Sequence, residues 1–248
     1  MTEANYYSFN FANQEIKVAK GWQEVFISQQ KSLKNIEKKI TAVPSEPPTA
    51  KIFRIFKKPP RACKVIILGQ DPYPQPETAT GRAFEVQNYR DWQKKTQNAS
   101  LRNLLKELYR EAKEIDESPA IKEVRREVDR MTEILPPAEL FQRWEERGVF
   151  LLNTALTVQQ GKPGSHQELW RPFIKEVITT LAAINQEKYW LLWGNKAQKF
   201  QELVESAGNK IITAPHPSRY DFVGSTTFSV PVVKNIVLAS RGDDGNAC

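Results

Sequence analysis

The stretch Val65-Ile66-Ile67-Leu68-Gly69-Gln70-Asp71-Pro72-Tyr73 runs from four apolar residues straight into a turn carrying an amide, a carboxylate and a phenol. Three further runs end in a similar way. Val149-Phe150-Leu151-Leu152 meets Asn153-Thr154, Tyr189-Trp190-Leu191-Leu192-Trp193 meets Gly194-Asn195, and Lys210-Ile211-Ile212-Thr213 leads through Ala214-Pro215 to His216-Pro217-Ser218. Unbroken apolar runs bounded by turn residues suit strands that are buried on both faces. Helical patterns lie between them. Leu101, Leu104, Leu105 and Leu108 follow Ser100 as N-cap, Ile121, Val124, Val128 and Met131 follow Ser118-Pro119, and Leu169, Phe173, Val177, Ile178 and Leu181 make a third. Strands alternating with helices predict an α/β fold with a central, mostly parallel four-stranded sheet flanked by helices on both faces.

At 248 residues and 40% hydrophobic, the chain fits one domain, 1-248. Residues 1-60 read as a helical N-terminal part, with Ile16 to Ile40 helical and a break at Gly21, and 242-248 read as a flexible tail. The loop signals Pro44-Ser45-Glu46-Pro47-Pro48 and Lys58-Pro59-Pro60 bracket a connection. No stretch approaches the roughly 18 apolar residues of a membrane span, and the polar start Met1-Thr2-Glu3-Ala4-Asn5 lacks the order of a secretory signal. A soluble, cytoplasmic monomer with no membrane partner is expected. Cys63 and Cys248 are the only cysteines, so neither a disulfide framework nor a zinc site can be read from them.

The formal charge is +7, and its location matters more than its size: residues 1 to 64 hold 12 basic and 5 acidic residues. A positive face there would attract a polyanion such as nucleic acid. A solvated lysine-rich helix around Lys31, Lys34, Lys38 and Lys39 accounts for the same excess.

Open parallel sheets bind ligands at the carboxyl ends of their strands, so the four polar ends place one carboxylate, one amide, one imidazole and one tyrosine on a single rim. Singly, an Asp or Asn after a strand is more often a cap or turn former, and a lone His is usually structural. Together they point to a site, with the reaction open between a hydrolase and a nucleotide binder. The chain carries no phosphate loop of the G-x-x-x-x-G-K-[ST] kind, no G-x-S-x-G elbow and no His pair at metal-binding spacing.

Longer strings carry more information. Leu68-Gly69-Gln70-Asp71-Pro72-Tyr73 is followed by Gly81-Arg82-Ala83-Phe84, Ser100-Leu101-Arg102-Asn103, Gly148-Val149-Phe150-Leu151-Leu152-Asn153-Thr154-Ala155-Leu156-Thr157-Val158, Gly164-Ser165-His166, Leu192-Trp193-Gly194-Asn195-Lys196-Ala197-Gln198-Lys199 and His216-Pro217-Ser218. In order and spacing this series resembles family 1 uracil-DNA glycosylases, from about Trp22 to Val237. The resemblance implies a base-flipping hydrolase acting on uracil in single- and double-stranded DNA, without metal or organic cofactor, and with a proteinaceous inhibitor known for the family as a further partner.

By the same resemblance, Asp71 would activate a water for attack at C1′ and stabilise the positive charge developing on the sugar. His216, acting neutral, would hydrogen-bond uracil O2. Asn153 would pair with uracil N3-H and O4 and reject cytosine, which presents the opposite pattern. Tyr73 would exclude the thymine methyl, Phe84 would stack on the flipped base, Gln70 would help hold the pocket, and His166 would support its turn. Ser100, Lys162 to Ser165 with Gly164 among them, Gly194, Asn195 and Ser218 would contact phosphates through short side chains and backbone N-H groups. Rival readings are a catalytically weak or inactive DNA-binding scaffold of the same fold, and a glycosylase of altered base choice.

The chain also departs from the pattern. Pro74 stands where the family usually has His, and Lys95-Thr96-Gln97-Asn98-Ala99 lacks the usual prolines. Glu111 to Pro137 is longer and more charged than usual, and no function is read from it. After Ser218, Arg219-Tyr220-Asp221-Phe222-Val223-Gly224 replaces Pro-Leu and a longer loop, whose leucine fills the space left by the flipped base. Tyr220 takes the leucine's place by count, with Arg219 on a phosphate; alternatively, the short loop does not enter DNA. If Tyr220 is a wedge, Tyr220→Ala lowers activity on duplex uracil-DNA much more than on single strands. Equal losses on the two substrates would count against it.

Overall fold

The computed structural model describes residues 5–96, 98–205 and 207–238; the expected tail at 242-248 and Cys248 lie outside the described residues. The chain opens on an antiparallel hairpin, β1 (Tyr6–Phe11) and β2 (Gln14–Ala19), with Phe11 opposite Gln14 at its turn. This corrects the helical reading of residues 1-60 and of the stretch from Ile16. Ile16 and Val18 are buried and Lys17 is exposed, the period of a strand. The turn residues Ala12 and Asn13 sit at φ 49° and 59°, a left-handed pair made without the Asn-Gly signal that usually reveals it.

Helices α1 (Gln23–Ser28) and α2 (Gln30–Ile40) follow. On α2, Leu33, Ile36 and Ile40 are buried while Lys31, Lys34, Lys38 and Lys39 are exposed, so these lysines form a solvated helix face. A short strand β3 (Ser45–Glu46) and helix α3 (Thr49–Ile52) lead to β4 (Val65–Gly69). Then come α4 (Ala99–Lys113), α5 (Ile121–Glu127), α6 (Pro137–Glu146), β5 (Val149–Asn153), β6 (Val158–Gln159), α7 (Gln167–Ala183) and β7 (Tyr189–Trp193). The last elements are α8 (Asn195–Gln198), α9 (Gln201–Glu205), β8 (Lys210–Ala214) and α10 (Pro231–Val237).

Two helix starts differ from expectation. The cap of α4 is Asn98, whose side chain accepts from Leu101 N at 3.1 Å, so Ser100 lies inside the first turn rather than capping it. Helix α5 begins at Ile121, two residues beyond Pro119, and gives way to a 3-10 turn at Val128–Arg130 that leaves Met131 outside. Helix α7 carries its expected apolar face, with Phe173, Val177, Ile178 and Leu181 all buried.

The four apolar runs form one sheet in the order β5-β4-β7-β8, with every neighbouring pair parallel. Successive side chains in β4, β5 and β7 enter opposite layers, as strand geometry requires. Ile66, Leu68, Phe150, Leu152, Trp190 and Leu192 meet α1, α2 and α7, and Val65, Ile67, Val149, Leu151, Leu191 and Trp193 meet α4, α6 and α10. Burial on both faces is why these runs are apolar throughout. Among the described residues, no helix is long and apolar enough to cross a membrane.

Trp22 shows how the first layer is locked. It is fully buried, stacks on Phe150 of β5 at 5.5 Å, meets Phe56 edge-on at 5.1 Å, and donates its indole N–H to Lys58 O at 2.8 Å. Trp22→Ala removes that ring and leaves the Lys58 carbonyl without its donor, so a loss of about 3–5 kcal/mol is expected in urea unfolding.

Candidate active site

Register sets the site. Gly69 pairs with Asn153, Leu68 with Leu192, and Trp193 with Ala214, so the strands finish level and release Gln70, Thr154, Gly194 and Pro215 along one edge. The turn after β4 is sewn to the one after β5 by Thr154 N donating to Gly69 O at 2.9 Å, Ala155 N to Gln70 O at 3.0 Å, and the Thr154 hydroxyl to Gln70 O at 2.9 Å. A Cβ on Gly69 would stand 2.3 Å from Asn153 Oδ1 and 2.8 Å from Ala83 Cβ. Glycine is therefore what lets the Asn153 amide reach over the end of the central strand. Asn153 is 5% exposed, and its side chain has no hydrogen-bond partner among the described residues.

Phe84 arrives from the loop after β4. Ala83 N donates to Leu151 O at 3.1 Å, docking the loop on the sheet, and buried Arg82 is held by Glu145 and, at 3.0 Å, by Glu85. Phe84 takes a left-handed backbone, φ 65°, a strained choice for an aromatic residue. Its ring lies edge-on to Trp193 at 5.3 Å and tilted to His216 at 6.2 Å. Tyr73 donates its hydroxyl to Phe84 O at 3.3 Å, and burial pushes that phenol up to about 12. Phe84 and His216 thus share one aromatic wall with Trp193, and Tyr73 is tied to it through the Phe84 carbonyl.

Asp71 is half-buried, and burial raises its pKa above the ordinary carboxylate value. The Gly164 N–H, the Gln70 side chain and the charge of Lys196 oppose that rise. The bond from Gly164 ends on Oδ2 of Asp71. Gly164, expected at a phosphate, therefore spends its N–H on the carboxylate, and Ser165 N donates to Lys162 O at 3.2 Å. The Ser165 side-chain oxygen accepts from Gln159 N at 2.9 Å, leaving its hydroxyl hydrogen for a ligand.

His216 has its pKa lowered by burial. The Ser218 backbone N–H, which can only donate, points at His216 Nδ1 at 3.1 Å, with the Ser218 hydroxyl 2.8 Å from the same atom. Nδ1 must therefore carry the lone pair, and the neutral ring bears its hydrogen on Nε2. Gly194, at φ 80°, makes room for this residue: a Cβ there would stand 2.8 Å from His216 Cβ.

His166 lies in a different network. Trp170 Nε1 donates to Thr157 Oγ1 at 2.7 Å, and that hydroxyl stands 2.9 Å from His166 Nδ1, a buried brace for the turn at Gly164. A cavity of about 840 Å³ opens on the rim beside His216, lined by Gln70, Gly194, Asn195, Lys196, Ser218 and Arg219 among others. A second, of about 610 Å³, lies between α7 and the α8–α9 segment and shares Lys196, but no residue expected at the site lines it.

The expected DNA contacts are less uniform. Ser100 is buried in the first turn of α4, Tyr220 is 86% exposed, and the Arg219 guanidinium holds Asp221 at 2.8 Å. Lys196 and Gln198 were not singled out from the sequence. Lys196 lines the cavity and acts on Asp71, while Gln198 Nε2 donates to Ala214 O at 3.1 Å and ties the turns after β7 and β8 together. A basic residue three places past the end of β7 was the available signal for Lys196.

The family model described as "Uracil DNA glycosylase superfamily" matches residues 56–228, more than half of the chain. A uracil-DNA glycosylase of Borrelia duttonii (strain Ly) is 32% identical over 232 residues, covering 87% of this chain and 92% of that protein. The crystal structure of UNG from Nitratifractor salsuginis superposes with a TM-score of 0.74 at 24% identity, covering 90% of this chain and 94% of that one. A mimivirus UNG variant in complex with UGI superposes with a TM-score of 0.62 at 23% identity, covering 80% and 70%. The two structures are alike in fold. The family match and the Borrelia relative go further: the chain belongs to the uracil-DNA glycosylase superfamily.

Proposed function

We propose that this chain repairs DNA by flipping uracil out of the strand and hydrolysing the bond between its N1 and the sugar C1′, leaving an abasic site. The observation that carries this reading is the neutral His216, fixed with its hydrogen on Nε2 by the Ser218 N–H at 3.1 Å, on the same wall as Phe84. As the C1′–N1 bond breaks, its electron pair passes to the uracil ring. The Nε2–H stabilises the resulting charge at O2 by donating a hydrogen bond, the kind of interaction whose removal costs about 10²–10³ in kcat.

Asp71 holds the water that attacks C1′. With Oδ2 bonded to Gly164, its other oxygen is left for that water and for the positive charge on the sugar. The Asn153 amide, an acceptor and a donor side by side, matches uracil N3–H and O4 and mismatches cytosine. Phe84 stacks on the base, Tyr73 blocks a 5-methyl group, and Gln70 closes the pocket edge.

Ser165, Asn195 and Lys196 grip phosphates beside the flipped nucleotide, while Ser218 spends its donors on His216, and Tyr220 occupies the gap in the stack. Its exposure on a short turn and the neighbouring Arg219–Asp221 pair suit that placement. The same surface is offered to a proteinaceous inhibitor, by analogy with the mimivirus complex. The chain works as a monomer in the cytoplasm, with Cys63 buried, its thiol pushed up to about 12 and so inert to oxidation.

Purified protein is tested on oligonucleotides carrying uracil opposite A or G, thymine opposite G, or hypoxanthine, with alkali to cleave abasic sites. Breakage is expected at uracil alone, and Asp71→Asn lowers kcat by about 10²–10⁴. Binding without breakage by the unaltered chain would overturn the reading.

The ionisations set the pH profile. His216 must be neutral, and burial holds its pKa below 6.5; Asp71 must be ionised, and burial holds its pKa above 3.8. Protonating His216 places a hydrogen on Nδ1 against the Ser218 N–H, so the active form persists through 6.5 and is lost below it. An acid limb of kcat lying above 6.5 would contradict this assignment.

A further inference from the structure

Helix α4 carries three polar residues on one face, Asn103, Glu107 and Arg110, spaced four and three apart. Glu111, next to Arg110, joins the same group. Asn103, Glu107 and Glu111 reach a segment more than a hundred residues later, and Arg110 holds the two glutamates. Asn103 Nδ2 donates to Pro217 O at 2.7 Å and to Arg219 O at 2.8 Å. Fully buried Glu107 accepts from Gly224 N at 2.7 Å and from Arg110 Nε at 3.0 Å. Glu111 accepts from the Ser229 hydroxyl and from Arg110, each at 2.6 Å.

The Asn103 contacts bracket a single residue. Its amide hydrogens satisfy the carbonyls of Pro217 and Arg219, the residues before and after Ser218, and Ser218 is the residue whose N–H and hydroxyl meet His216 Nδ1. Arg219 N returns to His216 O at 2.8 Å, closing the turn. A primary amide fits two carbonyls at once, whereas a hydroxyl has one hydrogen to give.

We propose that Asn103 is a positioning residue for uracil excision: it clamps the carbonyls of Pro217 and Arg219, the residues flanking Ser218, so that the Ser218 N–H stays on His216 Nδ1 and Nε2–H stays the donor to the leaving base. The proposal rests on the role of His216 given above. It also makes α4 a single rod with the loop around Asn98 and Ser100 at one end and the histidine turn along its side. The charged groups on the cavity wall around the ring are Lys196, Arg219 and Asp221, the last two paired with each other. Removing Asn103 leaves all three in place, so a change at the histidine is not a change of nearby charge.

The test is ¹⁵N NMR of histidine-labelled full-length protein, with His216→Gln for assignment, together with kinetics on a short single-stranded uracil oligonucleotide. The unaltered chain shows His216 as the Nε2–H tautomer. In Asn103→Ala the ring becomes a tautomer mixture, its titration moves up toward the ordinary histidine value, and kcat falls about tenfold with KM within about twofold. Asn103→Leu, of similar shape but bearing no amide hydrogens and no charge, behaves alike, and a melting temperature close to that of the unaltered chain shows that each variant is folded. If both folded variants keep the original tautomer and acid limb, the clamp is overturned. If the unaltered chain excises no uracil, the functional reading falls, while the tautomer comparison still decides whether Asn103 sets the histidine.

Discussion

The parallel register that sets Gly69 opposite Asn153 leaves no room above Gly69 for even one methyl group, and the site is arranged around that restriction. Asn153 Oδ1 and Ala83 Cβ converge on the same space from neighbouring segments. A side chain on Gly69 would push one of them away, losing either the place of the Asn153 amide or the loop that delivers Phe84. Gly194 repeats the arrangement at the end of β7, where His216 takes the place of a Cβ. Two of the four strand ends are thus bare backbone so that functional side chains from the adjacent strand end, or just beyond it, can cross over them.

Burial acts on the two ionisable groups in opposite directions. It raises Asp71 and lowers His216, favouring the neutral form of each. For the histidine this is the form the proposed chemistry uses, and the Ser218 N–H on Nδ1 reinforces it. For the aspartate it is the wrong form, and the protein answers with donors from Gly164 and Gln70 and the nearby charge of Lys196. A tenfold change in how tightly a carboxylate holds its proton corresponds to about 1.4 kcal/mol, so one backbone N–H on that carboxylate is enough to matter. That accounts for Gly164 facing Asp71 instead of standing free for a phosphate.

Much of this was legible in the sequence because it follows from local composition. The sheet announced itself through Val65-Ile66-Ile67-Leu68 and its counterparts in β5 and β7, which are apolar because both faces are covered; the edge run Lys210-Ile211-Ile212-Thr213 is partly exposed. Asp71, Asn153 and His216 were legible because they directly follow such runs. The hairpin at Tyr6–Ala19 was not, since Ala12-Asn13 adopts its left-handed turn without glycine and the strands are short. Nor was the start of α4: Asn98 and Ser100 are both competent caps, and only the bond to Leu101 N separates them. The Asn103 contacts and the Arg219–Asp221 pair depend on which loops come together, and no local pattern encodes that.

The short segment after His216 is held without a long loop, which suits the wedge proposed for it. Entering a base stack works against unstacking, a cost of a few kcal/mol. Ordering a free loop at the same moment adds about 1–2 kcal/mol per backbone residue. Here the ordering is complete before any ligand arrives. Phe222 and Phe228 are fully buried against Trp193, Thr227 accepts the Trp193 indole N–H at 2.7 Å, and Asn103 and Glu107 hold Arg219 and Gly224. Tyr220 stands among these anchors at 86% exposed, a rigid ring on a fixed base. An aromatic side chain has only two χ angles to fix, so a mount of this kind spends little of the binding energy on order and leaves it for opening the stack.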